Sequence, residues 1–431
     1  MPPTSDTEAT GRAFATRFVG DETVDDAVAL LTEDGVASVV DSFPDEFADG
    51  PMDAEEALLQ YRRGLHSQYG EFEAVGGVSV DGDEATVELR FGDGSAHVAL
   101  GVTDGGVTTL SFTPEYDVPD YVDESAFTER TVTVDAGDVS LDALLAVPDG
   151  AGPFPAVLLV HGAGIHDPDG TAGASKILKD VAWGLASEGI ATLLYENRLA
   201  DHDVDDEDRT LDRVVTDDAV AAVEELVATD EVADGSVVVA GHSQGGMCAP
   251  RIAARHGDIA GVVVLDGRAE STLDPDDLAF MRYEFEPDGD LSEEQEAQLD
   301  EDRETARRIR EGEFEDDETL WGRPGTWHRS VLDYDPAATA SGLDCPSFVA
   351  KTGRADEDLQ PELAAWFRRE VGKWRDAPLP NGSRVEFYEG LDHFFQSGYA
   401  PWSPLGLYFG GNVAPVVAAD LAEWVHGVAG R

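Results

Sequence analysis

The stretch from Ser236 to Pro250 constrains the fold of this chain more than any other. It reads Ser-Val-Val-Val-Ala-Gly-His-Ser-Gln-Gly-Gly-Met-Cys-Ala-Pro. The apolar run at its start is typical of a central parallel strand that is buried on both faces. The G-x-S-x-G pattern from Gly241 to Gly245 is typical of a strained turn between a strand and a helix. Such a turn predicts that Ser243 is held with its hydroxyl exposed at the carboxyl edge of a sheet, where it can act as a nucleophile.

The chain on either side of this stretch alternates between strand-like and helix-like segments. An antiparallel hairpin is expected over 129–147. The segments that alternate after it are 156–160, 177–186, 190–195, 211–228, 236–240, 247–255 and 261–265, and the pattern resumes at 346–351, 362–371, 384–388 and 413–425. This rhythm predicts an α/β fold, in which a mostly parallel sheet carries helices on both faces. Functional sites in such sheets lie at the carboxyl ends of the strands.

The length of 431 residues is too great for one ordinary core. Residues 1–114 have the pattern of a small α+β domain, with helical segments followed by strands that Gly-Asp turns separate. Residues 115–127 follow no period and are interpreted as a linker. The catalytic domain is predicted over 128–431. Because the N-terminal domain holds no catalytic constellation, we expect it to serve docking, dimerisation into a homo-oligomer, or support of a lid.

The alternation stops over about 268–342, where an acidic, helical segment is inserted between two strands. A capping box over Ser292 to Gln295 predicts the start of a helix within it. An insertion at the carboxyl edge of a sheet is well placed to cover the site as a lid. The aromatic residue Trp327, near the end of the insertion, is therefore a candidate for a pocket wall.

The charge of the chain excludes several functions. It has 29 basic and 89 acidic residues, which gives a formal net charge of −60, and only four of the basic residues are lysines. At molar salt the Debye length falls to about 3 Å, so such self-repulsion is tolerated only in a salt-rich solution. The balance predicts a halophilic source. Without a basic patch, a nucleic-acid partner is not expected.

No apolar run approaches the roughly 20 residues that cross a bilayer, and the N-terminus has no pattern of a secretory signal. We therefore expect a cytoplasmic protein that does not bind membranes. The sequence contains no C-x-x-C, H-E-x-x-H, G-x-x-x-x-G-K-[ST] or G-x-G-x-x-G pattern. No metal or organic cofactor is expected.

A serine nucleophile needs a base and an acid that orients the base. His393 is the predicted base, because it follows the last predicted strand in a loop at the carboxyl edge. The acid is expected soon after the strand over 346–351, where Asp356 is the first choice and Asp358 the second. Asp266, at the end of the preceding strand, is a less favoured alternative.

The reaction also needs donors for a developing oxyanion. One is the backbone N–H of Gln244 at the amino end of the helix that follows Ser243. The other is the backbone N–H of Ala163 in the loop His161-Gly162-Ala163-Gly164, which follows an early strand. Beside Trp327, the aromatic residues Phe394 and Phe395 next to the predicted base are candidates for contact with substrate.

The order Ser243, acid, His393, with an H-G-x-G loop before the serine, resembles the α/β-hydrolase superfamily. Further motifs resemble an esterase branch close to the dienelactone hydrolases. They are Asp167-Pro168-Asp169-Gly170, Tyr195-Glu196-Asn197-Arg198 and Gly390-Leu391-Asp392-His393-Phe394. Members of that branch often carry a small N-terminal domain of unknown function.

The resemblance implies a serine carboxylic-ester hydrolase that acts on small or medium acyl esters through an acyl-enzyme intermediate. The same triad serves thioesterases, peptidases and acyltransferases, and nothing in the sequence identifies the leaving group. A binding module with a vestigial triad is the alternative outside the enzymes. It is disfavoured, because all three residue types stand at suitable places.

Overall fold

The computed structural model describes residues 4–20, 23–48, 51–103 and 105–429. It divides the chain into two compact units. The first comprises Met1–Asp117, Ala172–Ser175 and Ser397–Gly411, and the second comprises Val118–Thr171, Lys176–Gln396 and Asn412–Arg431. The first unit thus includes two segments from the C-terminal three quarters of the chain, which the sequence had placed in the catalytic domain.

The first unit combines helices with an antiparallel sheet whose strands are in chain order. Its helices are α1 (Thr4–Val19), α2 (Val24–Val28), α3 (Glu33–Asp41) and α4 (Ala54–Tyr69), with 3-10 turns at Asp45–Phe47 and Pro404–Phe409. Its strands are β1 (Phe72–Asp81), β2 (Glu84–Phe91), β3 (Gly94–Thr103) and β4 (Gly106–Phe112). Alternating strand residues and the apolar faces of the helices form one core, to which Leu405 and Phe409 contribute.

The second unit is built on an eight-stranded sheet in the order β16-β15-β12-β11-β7-β10-β6-β5. All neighbouring pairs are parallel except β5 with β6 and β6 with β10. The strands of this sheet are β5 (Phe127–Asp135), β6 (Ser140–Pro148), β7 (Phe154–Val160), β10 (Ala191–Tyr195), β11 (Val232–His242), β12 (Gly261–Leu265), β15 (Ser347–Thr352) and β16 (Arg384–Tyr388). Two short pairs of strands are separate from it, β8 (Thr171–Ala172) with β9 (Ser175–Lys176) and β13 (Thr319–Leu320) with β14 (Arg323–Pro324). The predicted fold class is confirmed.

Helices cover both faces of this sheet. They are α5 (Ile177–Ser187), α6 (Asp217–Val227), α7 (Gln244–His256), α12 (Pro361–Asp376) and α13 (Pro415–Ala429). The other helices of the unit are α8 (Arg282–Phe285), α9 (Glu293–Glu311), α10 (Gly325–Leu332) and α11 (Pro336–Ser341). In β7, Ala156, Leu158 and Val160 share a core cluster with residues of α6 and α7. Val157 and Leu159 are also buried and by alternation face the other side, where α5 and α13 contact the strands.

The predicted insertion lies between β12 and β15 and contains α8 to α11. The predicted capping box at the start of α9 is present: Gln295 N donates to Ser292 Oγ at 3.2 Å, and Ser292 N donates to Gln295 Oε1 at 2.8 Å. No helix among the described residues is long and apolar enough to cross a membrane.

Candidate active site

The serine turn at the end of β11 is strained, as its sequence predicts. Ser243 has φ +55° and ψ −114°, a conformation that side-chain-bearing residues rarely adopt. A Cβ at Gly241 would lie 2.2 Å from backbone atoms of Gly245, and one at Gly245 would lie 2.4 Å from the carbonyl oxygen of Val160. Only glycines therefore allow the close approach of β7, β11 and α7 that places Ser243 at the carboxyl edge.

Hydrogen bonds hold this turn in place. Ser243 N donates to the Leu265 carbonyl at the end of β12 at 2.8 Å, and Met247 N donates to the Ser243 carbonyl at 2.9 Å. The side chain of Ser243 is half-buried, so it remains within reach of a small molecule. Gln244 is the first residue of α7, where a backbone N–H has no partner within the helix.

Asp266 is the carboxylate that contacts His393. It directly follows β12, and its own φ of +51° turns the side chain out of the strand direction. His393 Nδ1 lies 2.5 Å from Asp266 Oδ2, and the hydroxyl of Thr352 donates to the same oxygen at 2.8 Å. The carboxylate is 7% exposed and the imidazole 40% exposed. The pair therefore presents a buried acid and an accessible histidine.

The other oxygen of Asp266 is paired with a buried lysine. Lys351 Nζ lies 2.6 Å from Asp266 Oδ1, and its side chain is 3% exposed. The same ammonium donates to the carbonyl oxygens of Asp266 at 3.1 Å and of Gly267 at 3.4 Å. Burial alone would raise the pKa of Asp266, but the charge of Lys351 and the hydrogen bond with His393 outweigh it and hold the pKa far below its ordinary value. Asp266 is thus kept ionised.

The loop that carries His393 is fastened by a buried ion pair. Asp392 Oδ2 accepts from Arg354 Nη2 at 2.9 Å, and these two side chains are 3% and 4% exposed. Asp392 Oδ1 accepts from the backbone N–H groups of Phe394 and Gln396, both at 2.9 Å. This carboxylate thus holds the backbone of the loop through hydrogen bonds, and Arg354 compensates its charge.

His242 links this loop to the serine turn. Its Nε2 donates to the carbonyl oxygen of His393 at 2.8 Å, and the two imidazole rings are 4.6 Å apart. Because His242 is the residue before Ser243, this bond ties the backbone of His393 to the strand end that carries Ser243. Ser243, Asp266 and His393 therefore all lie at the carboxyl edge of the sheet.

The loop His161 to Gly164 lies beside the same turn. A Cβ at Gly162 would come within 3.3 Å of Ser243 Cβ, and Ala163 and Gly164 are exposed. His161 is completely buried, and its Nδ1 lies 3.3 Å from Asn197 Nδ2. The loop predicted to supply a backbone donor thus borders Ser243, with its histidine directed into the protein.

Two buried histidines near the site are expected to make stability depend on pH. Burial lowers the pKa of His242 to about 3 and that of His161 to about 4. The unfolded chain, with ordinary histidine pKa values near 6.5, therefore binds more protons than the folded chain below about pH 6.5. The free energy of unfolding therefore has its full value above about pH 6.5. It decreases as the pH falls below that value, by up to about 1.4 kcal/mol per pH unit for each histidine.

Urea denaturation at high KCl between pH 7.5 and 5 measures this loss, because ordinary carboxylates titrate mostly at lower pH. The free energy of unfolding should fall across the interval, and His242→Gln should flatten the dependence. His97→Gln removes an exposed histidine and serves as the control. An equal dependence in His242→Gln and in the parent would contradict the assignment.

The choice of Asp356 as the acid that orients His393 is corrected by this geometry. Asp356 Oδ1 accepts from the backbone N–H groups of Asp358 at 2.8 Å and Leu359 at 3.1 Å, so its carboxylate closes a local turn before α12. Asp358, the second choice, is exposed. The less favoured alternative, Asp266, occupies the position, because it leaves its strand directly into the site. Lys351 was the missed signal, since a lysine inside an apolar strand needs a buried carboxylate.

The three aromatic residues predicted to contact substrate differ in position. The ring of Phe394 is 5.1 Å from that of His242 and 6.2 Å from that of His393. Trp327 is 6% exposed and packs in the cluster that contains Met247, from the first turn of α7. Phe395 is 0% exposed and belongs to the core, which corrects the expectation of substrate contact for this residue.

Among residues 4–20, 23–48, 51–103 and 105–429, no group of three or more His, Cys, Asp or Glu side chains is arranged to hold a metal ion. The side chains at the carboxyl edge of the sheet supply a hydroxyl, an imidazole and an ionised carboxylate, with backbone N–H groups beside them.

The parallel sheet with its strained serine turn defines the class of enzymes that are built on the α/β-hydrolase fold. A family model described as "Alpha/beta hydrolase family" matches residues 157–400. The chain belongs to this family. The predicted superfamily and the predicted hydrolase class are thereby confirmed.

Comparisons with individual proteins give the following similarities. The chain is 29% identical to Esterase EstD of Thermotoga maritima over 382 residues, which cover 86% of this chain and 87% of the relative. An esterase structure from Pyrobaculum calidifontis is 16% identical, with a TM-score of 0.43 and coverage of 70% of this chain and 86% of that one. Est1E from Butyrivibrio proteoclasticus is 18% identical, with a TM-score of 0.42 and coverage of 70% and 99%.

Proposed function

We propose that this chain is a serine carboxylic-ester hydrolase that acts on small or medium acyl esters, with Ser243, His393 and Asp266 as its triad. The observation that carries the proposal is the contact of His393 Nδ1 with Asp266 at 2.5 Å, beside a strained serine turn. The similarity to Esterase EstD over most of both chains supports the ester as the substrate class.

The proposed reaction begins with attack of Ser243 Oγ on the ester carbonyl carbon. Since Asp266 occupies Nδ1 of His393, Nε2 is the nitrogen that takes the serine proton. The ionised carboxylate stabilises the imidazolium that forms. The imidazolium then gives its proton to the departing alcohol, and an acyl-enzyme remains. Water, activated by the same imidazole, attacks this acyl group and releases the acid and free Ser243.

Two backbone N–H groups are proposed to bind the oxyanion of each tetrahedral intermediate. Gln244 N–H is the first donor of α7, where the helix dipole also favours negative charge. Ala163 N–H lies in the exposed part of the loop that borders Ser243. Each such donor contributes on the order of 3 kcal/mol to the stabilisation of the transition state.

Ser243→Ala should reduce ester turnover by about 10⁶-fold, because the hydroxyl forms the acyl-enzyme bond. Activity on an ester, a thioester and an anilide with the same acyl group, measured at high KCl, tests both the reaction and the leaving group. The ester should have the highest kcat/KM. Ser95→Ala, at an exposed position of β3, is the control and should keep parental turnover.

A higher kcat/KM for the thioester than for the matched ester would indicate a thioesterase instead. A higher kcat/KM for the anilide would indicate a peptidase. Faster transfer of the acyl group to an added alcohol than to water would indicate an acyltransferase. Turnover that survives Ser243→Ala unchanged would remove Ser243 from the reaction.

The proposal places this enzyme in a salt-rich cytoplasm, because a net charge of −60 opposes the compact state in dilute buffer. The melting temperature should rise as KCl increases from low to molar concentration, since the Debye length falls from about 30 Å at 0.01 M to about 3 Å at 1 M. Circular dichroism across a KCl series measures this, with a neutral osmolyte as the control. A melting temperature independent of KCl would contradict the halophilic origin.

A further inference from the structure

Cationic side chains are scarce in this chain, and nearly all of those in the second unit are paired. Among the residues described between 118 and 429, most arginines and lysines have a carboxylate oxygen within 4.0 Å. Four arginines in this part of the chain do not: Arg209, Arg268, Arg323 and Arg375. In a protein with three acidic residues for every basic one, unpaired arginines need an explanation.

Three of these four arginines lie around helix α10. The guanidinium of Arg323, in the short strand β14 before the helix, lies 4.4 Å from the ring centre of Trp327. Arg268 lies in the loop after β12, and that loop is bound to α10 because Ser271 Oγ donates to the carbonyl oxygen of Val331 at 2.6 Å.

The segment that carries Arg209 is bound to the same helix. The hydroxyl of Thr326 donates to the carbonyl oxygen of Asp206. Leu211 N donates to Ser330 Oγ at 2.9 Å. One helix therefore gathers the three chain segments on which the arginines stand, and all three side chains are partly buried.

The positive charges of Arg209 and Arg268 disfavour the positive charge of Arg323. Burial lowers the pKa of Arg323, and the charges of Arg209 and Arg268 lower it further. Burial also lowers the pKa of Arg268, whereas the charges of Glu370 and Glu270 raise it, and its Nη2 donates to the carbonyl oxygen of Ser271 at 3.1 Å. Arginine nonetheless stays protonated in proteins, so the repulsion between these charges lowers the free energy of unfolding. An anion bound among the three guanidinium groups would relieve it.

The cluster is close to the proposed triad. Arg268 is two residues after Asp266 and follows the same strand end. Trp327, on which Arg323 stacks, belongs to the apolar cluster that contains Met247 and Ala269. Met247 lies in the first turn of α7, and its N–H is bonded to the carbonyl oxygen of Ser243. Arg268 thus lies just after a strand end at the carboxyl edge of the sheet, and α10, which binds the segments of the other two arginines, packs through Trp327 in the same cluster as Met247.

We propose that Arg268 and Arg323, supported by Arg209, bind a carboxylate carried by the substrate, so that the preferred substrates are monoesters of dicarboxylic acids. This inference rests on the proposed esterase function and names its substrate class. The planar guanidinium fork matches a carboxylate through two parallel hydrogen bonds. Because the rest of the surface is strongly acidic, an anionic ester would be repelled elsewhere, and a local cationic subsite is needed to hold it.

A matched pair of substrates tests the proposal: phenyl pentanoate and the monophenyl ester of glutaric acid, which has a terminal carboxylate on an acyl chain of equal carbon number. The ratio of kcat/KM for the anionic ester to that for the neutral ester is measured at constant KCl. Arg323→Gln and Arg268→Gln should each lower this ratio by about tenfold to a hundredfold, mainly through KM, as expected for loss of a charged hydrogen bond. Arg375→Gln, at an unpaired arginine of α12, is the control and should keep the parental ratio.

An equal loss on both esters, or a ratio that changes by less than about twofold, would overturn the proposal. If either variant melts below the assay temperature, Arg209→Gln takes its place and should lower the ratio by about threefold or more.

Binding of free glutarate and of inorganic phosphate to the parent, measured by calorimetry at constant KCl, separates the subsite from the reaction. Glutarate should bind, and Arg323→Gln should weaken that binding by about tenfold. Phosphate that binds more tightly than glutarate would exclude a carboxylate as the ligand, and no binding of either would exclude the subsite. Failure of the parent to hydrolyse phenyl pentanoate would count against the esterase function alone.

Discussion

Asp266→Asn should lower kcat for a neutral ester by about 10,000-fold, whereas Asp356→Asn should change it by no more than about twofold. The carboxylate of Asp266 accepts from His393 Nδ1 at 2.5 Å and is in place to stabilise the imidazolium. An asparagine at this position can present its NH₂ group to Nδ1 and so favour the wrong tautomer of the histidine. Asp356, in contrast, accepts only local backbone hydrogen bonds that an asparagine oxygen can also accept.

Steady-state kinetics of the two variants at high KCl decide between the carboxylates, with melting temperatures as a check that both remain folded. A large loss in Asp356→Asn with normal activity in Asp266→Asn would restore the sequence-based choice. It would also mean that the loop after β15 rearranges when substrate binds.

Lys351→Met should destabilise the fold by about 3–5 kcal/mol, because it leaves the carboxylate of Asp266 buried and unpaired on one side. Lys351 Nζ is the cation at 2.6 Å from Asp266 Oδ1, and both side chains are almost completely buried. Activity should also fall, because Lys351 holds the carboxylate of Asp266 that contacts His393.

Denaturation of the single variants and of Lys351→Met/Asp266→Asn measures the coupling of the two side chains. The double variant should have a higher free energy of unfolding than Lys351→Met alone, because it leaves no unpaired charge buried at residue 266. Arg130→Met is the control, since this arginine pairs with Glu231 at 3.1 Å and the two side chains are 44% and 41% exposed. Additive effects at Lys351 and Asp266 would show that Lys351 does not act through the carboxylate.

Most of the catalytic unit could be predicted because its signals are local. Buried parallel strands are short apolar runs, and the helices between them have their own period, so β7, β11, β12 and β15 were identified from sequence. The serine turn was equally predictable. Glycines at 241 and 245 are required by contacts with residues a few positions away or on the adjacent strand.

The features that were missed depend on contacts between distant parts of the chain. Ser397–Gly411 follows the predicted base in sequence but belongs to the first unit, where Phe409 contacts Tyr61 with ring centres 6.3 Å apart. No periodicity reveals such a partner. The acid was misplaced for a related reason, because its identity depends on which strand end faces His393 and not on the number of aspartates nearby.

The most direct test of the central claim is covalent labelling with a fluorophosphonate, followed by peptide mass spectrometry and measurement of the labelling rate. We expect one label per chain, located on Ser243, with a rate that Asp266→Asn lowers by about 1,000-fold or more and that Asp356→Asn leaves unchanged. A label on another residue, or labelling of Ser243 at the parental rate in Asp266→Asn, would contradict a triad of Ser243, His393 and Asp266.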